Sequence, residues 1–144
     1  MLKIALTHDV DRIRKTYQYI TRSFKYFKKE DFKNIYSEFL SIPTFNSVYW
    51  NFEDIMSIED SNNIRSTFFF LNESIPFNIL APVDWKLSLG RYKISEKKLK
   101  DIIHTLDTNG WEIGLHSSYN SYLNPKLIKK EKFLLESIVN HNII

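Results

Sequence analysis

Three short apolar runs punctuate this chain, and the segments between them carry a helical period. The runs are LKIAL at 2–6, STFFFL at 66–71 and WEIGLHSS at 111–118. Each is too short for a buried helix and is bounded by polar residues, which is the pattern of a buried strand. Between the first two, Ile13, Tyr17, Ile20, Phe24 and Phe27 recur at steps of three and four, marking one face of a helix. Asp31 is placed to cap a second helix, DFKNIYSEFLSI, that ends at Pro43, and NFEDIMSIED predicts a further short one. Ser95 opens a helix with Leu99, Ile102, Ile103 and Leu106 on its buried stripe and Gly110 as its stop. Asn124-Pro125 starts a last helix, with Leu127, Ile128, Leu134, Leu135, Ile138 and Val139 on its apolar side. The closing NHNII predicts the first residues of another strand, whereas residues 72–94 show no clean period. Strands that alternate with helices imply an α/β fold built from parallel units.

The 144 residues suit one domain, and 11 Phe with 8 Tyr predict an aromatic-rich core. With no Cys, disulfides and thiolate metal sites are excluded. The apolar run at the N-terminus is too short for a signal peptide, and no segment approaches the roughly 18 apolar residues of a membrane span. A cytoplasmic location away from membranes is the default expectation. The net charge of +3 is small, but residues 12–33 concentrate Arg12, Arg14, Lys15, Arg22, Lys25, Lys28, Lys29 and Lys33 against Glu30 and Asp31. Such a stretch is either the solvated face of an amphipathic helix or a surface for a polyanion. No base-reading module accompanies it, so a nucleic-acid partner is not expected.

Parallel sheets bind ligands at the carboxyl ends of their strands. Three polar clusters fall there: THDVD after the first run, Asn72-Glu73 after the second, and HSSYN after the third. Asp9 and Asp11, one residue apart, point the same way in extended chain. They are either paired carboxylates that divide metal binding and proton transfer, or a turn and a helix cap. His116 can ligate a divalent metal through a ring nitrogen or can be an ordinary surface histidine. Asn120, four residues on, offers a weak oxygen donor. His8 is placed to orient or shield such a site. His104 and His141 lack a partner motif and read as surface residues. There is no Gly-x-Ser-x-Gly elbow around Ser117 or Ser118, no P-loop and no Gly-x-Gly-x-x-Gly.

In order, ALTHDVD, STFFFL and GWEIGLHSSYN resemble the first three motifs of the polysaccharide deacetylase (NodB-homology) family, in a divergent branch with His-Asp-Val-Asp in the first. The resemblance covers most of the chain. It implies a partial (β/α) barrel and a metal-dependent hydrolase that removes acetyl groups from a glycan. A divalent metal, typically zinc, then supplies an activated water. On this resemblance Asp9 matches the proton-accepting aspartate and His116 the first metal histidine. Val10 stands where the family has its metal-binding aspartate, which passes that role to Asp11, and Asn120 stands where it has a second histidine. Tyr119 and Tyr122 are placed to line a sugar site. The family barrel has more strands than are legible here, so the chain resembles the N-terminal part of a single, truncated domain. Unpaired strand edges would then favour self-association. The alternative expectation is a non-catalytic remnant that binds a glycan or a partner.

Overall fold

The computed structural model describes residues 4–14, 26–34, 36, 49–81 and 84–143. Most of the expected helix beginning at Ile13, most of the one after Asp31 and the loop at 44–48 lie outside them. The described elements are β1 (Thr7–Val10), α1 (Phe52–Ser61), β2 (Thr67–Leu71), α2 (Trp85–Ser88), α3 (Lys97–Thr108), β3 (Glu112–His116), a 3-10 turn (Ser121–Leu123) and α4 (Pro125–Val139). The strands form one parallel sheet in the order β1-β2-β3, an α/β arrangement whose sheet does not close into a barrel.

Register explains both faces of the sheet. His8 and Val10 pair with Phe68 and Phe70, which pair in turn with Ile113 and Leu115. Side chains alternate along a strand, so this set shares one face. Phe52 of α1 stacks on it, with its ring centroid 6.0 Å from Phe68 and 6.1 Å from Phe70. Leu99, Ile103 and Leu106 of α3 and Leu135 of α4 complete a core in which Phe68 and Phe70 are fully buried. The other face carries Thr7 and Asp9, then Thr67 and Phe69, then Glu112, Gly114 and His116. There the Phe69 ring lies over Gly114, so close that a Cβ at 114 would meet Cε1 at 2.4 Å.

Several expected boundaries move. Of the expected first strand, LKIAL, the described residues Ile4 to Leu6 are not strand. Ile4 to Leu6 are exposed and irregular, and the polar motif itself forms β1. The reason is pairing: Leu6 only offers its carbonyl to Thr67, and the matched register with the aromatic strand starts at Thr7. Phe27, expected on a buried stripe, is 62% exposed and packs edge-on against Phe32. Asp31 does cap, accepting from the Asn34 backbone N–H at 3.3 Å. Glu96, not Ser95, is the N-cap of α3, and its carboxylate turns back to the Lys93 N–H. Gly110 adopts φ +88° after α3, as a helix stop requires. Asn124 caps α4 through the Leu127 N–H, with Pro125 in the first turn.

Residues 140–143 form a turn rather than the start of a strand. Asn140 takes the left-handed conformation, His141 Nε2 bonds Asp107 of α3 at 2.7 Å, and Ile143 tucks into the core. Among the described residues, no helix is long and apolar enough to cross a membrane.

Candidate functional site

At the carboxyl end of the sheet, one tyrosine separates two strands. Tyr92 is buried, and its hydroxyl donates to the Val10 carbonyl at 2.5 Å while accepting from the Leu71 N–H at 2.7 Å. A backbone donor on β2 and an acceptor on β1 thus meet through a side chain, and the strand ends are held apart. Burial, the largest influence, and the nearby Asp11 carboxylate push this phenol far above its ordinary range, so it stays a neutral donor.

Asp11 lies just past that splay. Its carboxylate and carbonyl both accept from Arg91 Nη1, at 3.1 and 3.0 Å, while Arg91 Nε holds the Leu87 carbonyl. The guanidinium is mostly covered and the carboxylate is half exposed. No motif in the sequence marks Arg91. It sits in the aperiodic stretch between β2 and α3, where only the tertiary path of the chain brings it to Asp11.

His116 ends β3, and its buried Nδ1 has no hydrogen-bond partner among the described residues. Asp9 is exposed on the same face of the sheet, but β2 and the Phe69 ring intervene. At ordinary strand spacing, β1 and β3 stand about 10 Å apart. Asn120 is exposed at the start of the 3-10 turn, and Tyr119 and Tyr122 are 61% and 71% exposed on the same loop. Among the described residues, no three His, Cys, Asp or Glu side chains gather closely enough to hold a metal ion. The expected set of Asp9, Asp11 and His116 is therefore not assembled.

Two buried glutamates organise the surroundings, and neither stands out in the sequence. Glu131 of α4 accepts from the Ser118 N–H at 3.2 Å and its hydroxyl at 2.5 Å, anchoring the loop after β3. Ser118 also meets Ser74, and Glu73 accepts from the Tyr119 N–H, so the loops after β2 and β3 are stitched together. Glu59 of α1 works at the opposite end. Oε2 accepts from Trp111 Nε1 at 2.6 Å and from the Ser66 hydroxyl and N–H at 2.8 and 3.2 Å, while Oε1 meets His8 Nε2 at 2.7 Å. Burial raises the pKa of this carboxyl, but the hydrogen bonds from His8, Trp111 and Ser66 outweigh it and hold the group below its usual range. A helical period marks Glu59 only as one more acid on a polar face. Its burial was not foreseeable without the neighbouring strands.

A pocket of about 300 Å³ lies beside β1, with Thr7, His8, Asp9, Arg12, Asn51 and Phe52 among its lining residues. The THDV motif thus faces a cavity beside the sheet as well as the strand-end crevice.

No protein-family model matches this chain, and no curated protein or solved structure matches it significantly.

Proposed function

We propose that this chain is polysaccharide deacetylase-like and takes an acetylated glycan as its ligand. The observation that carries the reading is placement. The three resembling motifs fall on three adjacent parallel strands in chain order, THDV on β1, TFFFL on β2 and EIGLH on β3. Asp9 is the group suited to accept a proton from water or a sugar hydroxyl, since it is exposed and no hydrogen bond or ion pair engages it among the described residues. Tyr119 and Tyr122 offer exposed aromatic faces to a sugar chain.

A divalent cation such as zinc does not fit the residues as they stand. The Asp11 carboxylate is committed to Arg91, Asn120 is a poor donor, and among the described residues no three His, Cys, Asp or Glu side chains gather around His116 to hold a metal ion. No metal-dependent step is therefore assigned to this arrangement. The Arg91–Asp11 pair favours a second reading, a non-catalytic domain that binds a glycan or partner, with self-association through the edges of β1 or β3.

Calorimetric titration of an acetylated oligosaccharide, followed by an assay for released acetate with and without zinc, separates these readings. Saturable sugar binding is expected. Acetate release lost in Asp9→Asn would establish the hydrolase, binding without release would establish the second reading, and absence of both would defeat the proposal.

A further inference from the structure

β1 is an edge strand, and its hydrogen bonds show which of its main-chain groups are spent. The Leu6 carbonyl accepts from the Thr67 N–H at 3.0 Å, and the Val10 carbonyl accepts from Tyr92, which bridges to β2. Along a parallel strand alternate residues turn their main-chain groups to opposite sides. Leu6, His8 and Val10 thus turn theirs towards β2, and Thr7 and Asp9 turn theirs outward. The outward N–H and C=O groups of Thr7 and Asp9 have no partner among the described residues. An edge of this kind is a template for another strand. On β3 the Glu112 N–H donates to the Ser66 carbonyl, so Ile113 faces outward there. Ile113 is buried, whereas Thr7 and Asp9 are exposed, which makes β1 the open edge.

The side chains along that edge say which strand it takes. Leu6, Ile55, Ile58 and Ile64 line an apolar cavity of about 280 Å³, and Leu6, Ile58 and Ile64 are exposed. Ile4, two residues earlier, is 77% exposed. If the strand is continued back through Ala5, Ile4 joins Leu6 and His8 on the face of α1. Lys3, which lies outside the described residues, then falls by sequence on the face of Thr7 and Asp9. A second copy, antiparallel and with the twofold axis at Leu6, meets each of these features. Leu6 opposes Leu6, and Ile4 opposes His8 of the other copy. The outward groups of Thr7 meet those of Ala5, and Asp9 faces Lys3. Apolar side chains thus meet on one face, and opposite charges meet on the other. The contact is isologous, since each copy supplies the same patch.

We propose that two copies of this chain join their β1 edges as antiparallel strands about an axis at Leu6, making one continuous six-stranded sheet from two three-stranded ones. The inference rests on the self-association named in the second reading above. It chooses the edge, the orientation and the register, and it does not depend on a glycan.

The test is sedimentation velocity on the full chain from micromolar to millimolar concentration, where a concentration-dependent dimer is expected. Thr7→Pro removes an outward N–H and none that β2 uses, so circular dichroism should be unchanged and the dimer lost. Lys3→Glu and Asp9→Lys each turn two symmetric pairs repulsive, and each should weaken the dimer about tenfold. An equal mixture of those two variants makes both pairs attractive again and should dimerise like the unaltered chain. Neither charge change removes a strand hydrogen bond, so this arm holds even where Thr7→Pro fails to fold. A monomer at every concentration would overturn the inference. So would a dimer untouched by a folded Thr7→Pro, or a mixture no stronger than its separate variants. None of these readouts involves sugar, so the glycan reading stands or falls by its own titration.

Discussion

The two ends of this sheet are built on opposite principles. At the amino end, a buried carboxylate collects every donor that reaches it. Glu59 joins β1 through His8, the start of β2 through Ser66 and the start of β3 through Trp111. At the carboxyl end, polar groups are left over or partly exposed. His116 Nδ1 has no partner among the described residues, and the half-exposed Asp11 carboxylate pairs with Arg91. A fully satisfied buried network holds a fold together, whereas unspent hydrogen-bonding capacity is what a ligand can use. The amino end is thus closed by one satisfied network, whereas the carboxyl end combines fasteners of its own, Tyr92 and Glu131, with groups left over for a ligand.

The strongest way to break that contrast is to empty the amino end. Glu59→Ala should destabilise the protein by about 3–5 kcal/mol, because the indole N–H, the Ser66 donors and His8 lose their acceptor in a dry site. Urea unfolding followed by tryptophan fluorescence measures it, and a loss below about 1 kcal/mol would mean that Glu59 is not the fastener. The same carboxylate makes stability pH-dependent. Its folded pKa lies below the unfolded value of 4.5, so its contribution is present above pH 4.5 and lost as pH falls through the folded value. Unfolding curves between pH 3 and 6 should lose part of this acid sensitivity in a folded Glu59→Gln variant.

The next largest effect tests the splay between β1 and β2. Tyr92→Phe removes one hydroxyl and leaves the Val10 carbonyl and the Leu71 N–H without their partner. A loss of about 1–3 kcal/mol is expected. If the strand ends instead zip together, amide exchange at Leu71 will stay protected and the loss will be smaller. The smallest of the three sharpens the carboxyl-end face. Gly114→Ala drives a methyl group into the Phe69 ring and should cost about 1–2 kcal/mol, relieved when Phe69 is shortened to Leu in the same chain. Additive losses in the double-mutant cycle would show that the two do not press on each other.

How much of this was readable in advance differs from element to element. STFFFL and WEIGLHSS could be recognised as strands because apolar, β-favouring residues were bounded by polar ones. The α3 and α4 stripes were recognisable from their three-and-four spacing. LKIAL misled because apolar character alone does not say which residues find a partner strand. THDV is polar, yet it pairs with β2 because His8 and Val10 fall opposite Phe68 and Phe70. At the candidate site, Asp9, Asp11 and His116 could be named from residue type and strand-end position, but their separation could not. It depends on β2 lying between β1 and β3, with Phe69 filling the gap.

What the sequence by itself determined is local. The period of its apolar residues marked α3 and α4 as helices and STFFFL and WEIGLHSS as strands, and Gly110, Asn124 and Pro125 marked helix ends through backbone chemistry that needs no neighbours. Tertiary structure decided the rest. Whether Glu59 and Glu131 are surface acids or buried fasteners, whether Asp11 is free or held by Arg91, and which nitrogen of His8 meets Glu59 all depend on residues in other elements of the fold. The physical reason is that hydrogen bonding and burial are properties of an environment, and the environment of a side chain is set by strand order and register rather than by its own segment.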